Sequence, residues 1–340
     1  MPEPMTFGVA GYGAWGRFHA RSIADAWDGR LIAIAAPSEA NAAAARADFP
    51  DVTVHRDWRA LIADPAVQAI AVATPNHLHA PIAVAALEAG KHVLVEKPMA
   101  TTLADCDRIV AATKLSAGQL TVGLQCRLSP QWGRIRALID EGAIGRPQHV
   151  HVSLFRHPYR QGSSGWRYDK ARVGSWILEE PVHFFDLALW YLVGSGRPVT
   201  VRALGAGAAG MEPVLSVLMR FPDGATAAIN QVLAGFEHHQ TVEVVGDKGA
   251  VRATWSAATA RSLESATTLR LKRAGADAFE ELAVQRSGEV YELAKQAQAS
   301  IAGFRSGKPL VSAEEGRAAV AVCLAAEASA KEAGRPIAVD

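Results

Sequence analysis

The chain has almost no net charge, few cysteines and no long apolar run, and each shortage removes a class of function. Lys plus Arg number 35 against 34 Asp plus Glu in 340 residues, so no global field draws the chain to nucleic acid or to an anionic membrane surface. Its three cysteines, Cys106, Cys126 and Cys323, form neither a CxxC pair nor a metal-finger spacing. That argues for reduced thiols in a cytoplasmic setting, packed as core residues, and against a metal site. Met1-Pro2-Glu3-Pro4-Met5 offers no basic stretch ahead of an apolar one, and no run approaches the ~18 apolar residues of a membrane span, so neither a signal peptide nor an anchor is expected. With 49% apolar residues and no fixed-period repeat, what remains is a globular chain of roughly two domains, suited to a small-molecule ligand.

The stretch His92-Val93-Leu94-Val95-Glu96-Lys97-Pro98 organises the first domain. Its apolar part is short, β-branched and bounded by Gly90 and Pro98, as in a strand buried on both faces of a parallel sheet. Ligands collect outside the carboxyl ends of such strands, which places Glu96 and Lys97 at the lip of a crevice. Earlier, Phe7-Gly8-Val9-Ala10 runs into Gly11-Tyr12-Gly13-Ala14-Trp15-Gly16, and Trp15 to Trp27 reads as a helix. Strand, glycine turn and helix are the setting of a dinucleotide fingerprint. Gly11 permits the tight turn, Gly13 lets the backbone approach a pyrophosphate, and Gly16 allows close helix packing.

An acid that would hold the ribose 2′-hydroxyl of NAD is missing from the end of the second strand, Leu31–Ala36. Ala36-Pro37-Ser38 stands there with Glu39 beyond. Nothing repels a 2′-phosphate and Ser38 could bond one, which tilts the cofactor from NAD toward NADP, although no arginine clamp is evident beyond Arg17 and Arg46. Strands Val52–Val54 and Ala69–Ala73 alternate with a helix near Trp58–Ile62, so the fold class is α/β, a doubly wound parallel Rossmann sheet. Thr74-Pro75-Asn76 follows at another strand end. Asn76 either faces the crevice or caps the helix that runs to Leu87, and His79 is either a crevice residue or a structural histidine.

Together, Gly11-x-Gly13-x-x-Gly16, Thr74-Pro75-Asn76 with His79, and Glu96-Lys97-Pro98 resemble the Gfo/Idh/MocA family of NAD(P)-dependent oxidoreductases, over most of the chain. The resemblance implies a catalytic role for Lys97. It also implies that Thr74, Pro75, Asn76 and His79 line the nicotinamide side of the cofactor site, with Glu96 and Gln125 close by.

The boundary is expected near residue 125. Residues 1–125 would be the dinucleotide-binding domain and 126–340 a substrate-binding and oligomerisation α+β domain, closed by a packing helix over 313–333. Its strands, Gln148–Phe155, Val199–Leu204, Val214–Phe221, Ala225–Val232, Thr241–Val245 and Val251–Trp255, are joined by turns such as Pro222-Asp223-Gly224 and Gly246-Asp247-Lys248-Gly249, which makes a mostly antiparallel sheet. By resemblance this is a large open-faced sheet that makes homodimers or homotetramers. Within it, Gly174–Leu192 carries Pro181, at the first turn of a helix apolar almost all round and therefore buried.

A lone histidine on such a helix is usually a core residue, but the resemblance gives His183 a catalytic role with Glu179 four residues earlier. Spacing of four shares a face only if the helix reaches back to Glu179; otherwise Glu179 complements the helix start. Asp186 is a packing or capping carboxylate, or a second partner for His183. Arg156, His157, Tyr159, Arg160, Trp166, Arg167, Tyr168, Lys170 and Arg172 cluster between the two motifs, and such residues suit a polyhydroxylated substrate or a subunit interface equally. Trp166 and Arg167 resemble a family loop over the cofactor. Arg127, Arg156 and Tyr159, with Lys97 and His183, are the candidate substrate contacts.

The implied chemistry is hydride transfer between a nicotinamide and a secondary hydroxyl of a sugar, inositol or sugar acid. Lys97 holds alkoxide charge or accepts the proton, His183 titrates near neutrality, and Glu179 orients or relays. The competing readings are a ligand sensor or co-repressor on the same fold, and a redox-neutral NAD-assisted lyase or glycosidase.

Overall fold

A computed structural model describes residues 3–233, 235 and 237–339. The chain forms two compact units, Met1–Leu124 with Ser163–Gly174 and Leu293–Val320, and Gln125–Gly162 with Ser175–Glu292 and Ala321–Asp340. Two segments that a single boundary assigns to the second domain, 163–174 and 293–320, thus fold with the first.

In the first unit, strands β1 (Met5–Ala10), β2 (Gly29–Ala35), β3 (Thr53–His55), β4 (Ala69–Val72), β5 (His92–Glu96) and β6 (Leu120–Gly123) form a parallel sheet of order β3-β2-β1-β4-β5-β6. Every residue of β1 and β4 is buried, which is why these strands, Thr6 apart, are apolar runs rather than alternating ones. Helices α1 (Ala14–Asp25), α2 (Glu39–Asp48), α3 (Trp58–Ala63), α4 (His79–Glu88) and α5 (Leu103–Leu115) make the crossovers. The strand order reverses between β1 and β4, the switch point outside which ligands bind. On one side Phe7, Val9, Ile23, Ile34 and Leu94 close a core with Ala297, Ile301 and Phe304.

In the second unit, after α6 (Trp132–Asp140), a nine-stranded sheet contains β7 (Pro147–Phe155), β8 (Thr200–Ala206), β9 (Val214–Arg220), β10 (Thr226–Val232), β11 (His238–Gly246), β12 (Gly249–Ala257), β13 (Ala266–Arg273), β14 (Glu280–Glu281) and β15 (Ile337–Ala338). Its order is β14-β13-β12-β11-β7-β10-β9-β8-β15. β7 pairs parallel with β10, and the other described pairings are antiparallel. Burial alternates along β9 and β10, the period-two mark of a sheet with one covered face.

Short α7 (Lys170–Val173) belongs to the first unit, and α8 (Pro181–Tyr191) to the second. Pro181 opens α8, and its apolar residues pack against β7 and β10. α9 (Glu289–Ser306) and α10 (Ala313–Lys331) each cross from one unit into the other along the sequence. α10 starts with a reciprocal cap: the Ser312 amide donates to Glu315 Oε2 at 2.8 Å and the Glu315 amide to Ser312 Oγ at 3.2 Å. No described helix is long and apolar enough to cross a membrane.

Candidate active site

The three glycines of the first turn have different physical reasons to be there. Gly11 has φ +98°, and a Cβ on it would lie 2.6 Å from the Ala73 carbonyl oxygen. A Cβ on Gly16 would lie 2.0 Å from the Gly11 oxygen. The fold itself demands both. Gly13 is different: its φ of −80° is open to any residue, and a Cβ there would meet nothing within 4 Å. It sits at the start of α1, where no side chain caps the helix and the first turn holds no acid. Uncapped amides, the positive end of the helix dipole and an empty approach fit the diphosphate of a dinucleotide. Tyr12 turns away into the core. Its hydroxyl donates to Asp48 at 2.8 Å, and burial, then Asp48, raises its pKa.

At the end of β2, Ser38 caps α2 by accepting from the Asn41 amide at 3.2 Å. Parallel pairing of Ala35 with His55 brings the next residue, Arg56, to the same place. Arg56 donates to the Pro37 carbonyl at 2.6 Å and pairs with Glu39, which Arg46 also meets at 3.3 Å. These guanidinium partners hold the exposed Glu39 carboxyl below its usual pKa, Arg56 most strongly. Arg56 is remote from Ser38 along the chain, and only strand pairing brings it to this end of β2.

The ends of β4 and β5 are joined by buried hydrogen bonds. His79 is 1% exposed, with Nδ1 2.7 Å from the Pro98 carbonyl and Nε2 2.9 Å from that of Thr74. Two carbonyls favour a charged ring and burial opposes it. Burial is the larger effect, so the pKa falls below the ordinary histidine value. Asn76 is no helix cap: α4 has Leu78 at that position, and the Asn76 side-chain amide donates to the Val173 carbonyl at 3.0 Å. Glu96 is also buried. One oxygen lies 2.7 Å from His19 Nε2 of α1, and the other accepts from the Lys97 amide at 3.2 Å. His19, which the sequence reading did not single out, thereby pins the strand end that carries Lys97. Lys97 itself is half-buried and followed by a cis peptide to Pro98.

The Arg and aromatic cluster divides. Trp166 and Arg167 fold with the first unit, where the Arg167 guanidinium stacks 4.4 Å over the Trp166 ring. Arg156 and Tyr159 belong to the second, as do Gln125 and Arg127. Arg156 pairs with the buried Glu180 and lies 4.6 Å over the Tyr159 ring. The Tyr159 hydroxyl reaches the Trp176 carbonyl at 3.5 Å and Gln231 Oε1 at 3.4 Å. Arg127 forks Asp186 through two bonds of 2.9 and 2.7 Å, so Asp186 answers the arginine. Gln125 is 3% exposed.

His183, in the first turn of α8, is 2% exposed. The condition for Glu179 to share its helical face is not met: a separate 3-10 turn ends at Glu179, and Glu180, with φ −126°, interrupts the path to α8. Glu179 is nonetheless buried, at 4% exposure. No group of three or more His, Cys, Asp or Glu among the described residues could hold a metal ion.

Known proteins agree with this architecture. Residues 5–124 match the family model described as "Oxidoreductase family, NAD-binding Rossmann fold", and residues 132–252 match the GFO/IDH/MocA C-terminal domain. A 1-carboxy-3-chloro-3,4-dihydroxycyclohexa-1,5-diene dehydrogenase of Comamonas testosteroni is 34% identical over 59% of this chain, and the match spans 50% of that protein. Inositol 2-dehydrogenase 1 of Saccharopolyspora erythraea is 31% identical, with 98% of this chain and 96% of that one covered. The solved aldose-aldose oxidoreductase of Caulobacter crescentus, in complex with glycerol, shares the fold at TM-score 0.83 and 24% identity, over 99% of this chain and 100% of that one. On its paired domains and its full-length relative, the chain belongs to the Gfo/Idh/MocA family of oxidoreductases.

Proposed function

We propose that the protein is a nicotinamide-dependent dehydrogenase acting on a secondary hydroxyl of a sugar, inositol or sugar acid. The open approach to Gly13 carries this reading, because nothing in the chain itself requires glycine there. The Gly11–Gly16 turn would hold the diphosphate, Thr74, Pro75, Asn76 and His79 would frame the nicotinamide end, and Trp166 and Arg167 would cover it. When bound, the nicotinamide supplies the hydride acceptor.

The chain manages the oxygen and its proton. Lys97 stabilises negative charge developing on the substrate oxygen, and His183 takes the proton. Glu179 orients His183. Arg127, Arg156 and Tyr159 hold their neighbours, Asp186, Glu180 and Gln231, and so shape the substrate side of the second domain rather than binding through idle groups.

Ser38, Arg46 and Arg56 at the end of β2 support NADP over NAD, since a guanidinium forks a phosphate. The outward face of the large sheet leaves Leu204, Leu218 and Val214 exposed by 64, 50 and 39%, a patch suited to a homodimer or homotetramer. Three buried thiols suit the cytoplasm.

The test is a panel of NAD and NADP crossed with inositols, sugars and sugar acids, followed by formation of the reduced nicotinamide and by thermal shift. Turnover with at least one polyol is expected, and NADP should stabilise the fold more than NAD. Substrate consumption without net reduction would mark a redox-neutral enzyme, and no stabilisation by either dinucleotide would overturn the reading altogether.

A further inference from the structure

The second unit contains a buried acid that this chemistry does not use. Glu292, in the first turn of α9, is 2% exposed and has no ion-pair partner among the described residues. Its Oε1 accepts from the Ser287 hydroxyl at 3.1 Å and from the Gly288 amide at 3.2 Å. Ser129 and Ser287 are themselves linked at 2.7 Å, and the Trp255 indole fixes Ser287 through its carbonyl at 3.0 Å. A carboxyl so firmly placed, yet unmet by a cation, asks for a proton donor.

Glu292 lines a small cavity of about 20 Å³ that His183 also lines. That is room for a water molecule. The other titratable groups on its wall come from four elements: Cys126 from the turn before α6, Glu180 from the start of α8, His238 from β11 and Glu289 from α9. The charge of Glu180 is met by Arg156. Burial, and then the charge of Arg156, pushes His238 down to about 4, so that ring is neutral at physiological pH.

Resting on the assignment of His183 made above, we propose that Glu292 is a positioning residue behind it, receiving through cavity water the proton that His183 takes from the substrate. Burial raises the Glu292 carboxyl to about 7, with Glu289 adding to the rise. A carboxyl so raised can accept a proton near neutrality. In the oxidation direction the substrate O–H bond breaks and its proton goes to the His183 ring. The hydride lost from the carbon bearing that oxygen would be taken up by an oxidised nicotinamide when one is bound. The ring's second N–H then gives its proton to the water, which gives one to the Glu292 carboxylate. The imidazole is neutral again, the carboxyl is a neutral acid, and it loses its proton to solvent before the next turnover. Reduction runs the same steps backward.

The experiment measures kcat and KM against pH for the full-length protein and for Glu292→Gln, Glu292→Asp and His183→Asn, with thermal unfolding of each. Glu292→Gln is expected to lower kcat about tenfold, a modest share of what proton transfer catalysis supplies, leave KM nearly unchanged, and remove the pH limb near 7. Glu292→Asp should restore that limb at a shifted position. An unchanged profile in Glu292→Gln, or equal losses in the Gln and Asp variants together with a lower melting temperature, would overturn the proposal in favour of packing. His183→Asn separates the two ideas: near-normal turnover in that variant removes the catalytic role of His183 itself, whereas an inactive His183→Asn beside a normal Glu292→Gln removes only the relay.

Discussion

Arg127→Met tests what holds the second unit together and discriminates between two roles for this arginine. The guanidinium donates to both carboxylate oxygens of Asp186, at 2.9 and 2.7 Å, with side-chain exposures of 6 and 1%. It also lies 5.2 Å over the Trp190 ring. Deleting one member of such a pair strands the other's charge away from water, at a cost of about 3–5 kcal/mol, whereas replacing both by apolar groups of similar volume is close to neutral. A urea-unfolding cycle of Arg127→Met, Asp186→Leu and the double variant, read by tryptophan fluorescence, should therefore be strongly non-additive. The single variants should each lose ~3–5 kcal/mol and the double far less than their sum. A loss under ~1 kcal/mol for Arg127→Met, the size of an exposed pair, would refute the reasoning. If its KM for substrate rose at unchanged stability, the guanidinium would instead be a substrate contact.

Three other outcomes follow from the geometry. Gly13→Val should weaken dinucleotide binding at least about tenfold, or roughly 1.4 kcal/mol, with little change in melting temperature, since a Cβ there meets nothing within 4 Å; Gly16→Ala, whose Cβ would collide with the Gly11 carbonyl, should instead destabilise the fold, and calorimetric titration with thermal melts distinguishes the two. Arg56→Ala should raise the KM for NADP about tenfold while leaving NAD within a factor of about two, as expected for loss of one charged phosphate contact; equal effects on both would remove Arg56 from 2′-phosphate recognition. The Glu292 carboxyl is raised from 4.5 unfolded to about 7 folded, so the native state holds the extra proton between those values and stability falls as pH rises through that window. The total is of order 3 kcal/mol. Glu292→Gln should abolish that slope and be the more stable protein at pH 8; parallel stability curves for the two proteins would contradict the buried ionisation.

Much of the fold was legible because its signals are local. The glycine turn and Pro181 at the start of α8 each lie within a few residues, and the strands of the large sheet are marked off by turns such as Pro222-Asp223-Gly224. The site was less legible where long-range pairing decides it. Arg56 reaches the end of β2 only through the register of β3, and His19 of α1 meets Glu96, 77 residues on, only in the folded chain. Nothing near Arg127 in sequence reveals its pairing with Asp186. The Arg and aromatic cluster read as one patch, yet its halves fold with different units. Glu292 gave no signal at all, since a glutamate in the first turn of a helix ordinarily faces water.

The most direct measurement is paired titration and turnover of Lys97→Met. The account predicts that calorimetry finds dinucleotide affinity within about twofold of the parent protein while the rate of reduced-nicotinamide formation falls at least 10²-fold, the scale of a lost proton-transfer or charge-stabilising group. Turnover near the parent rate would contradict it.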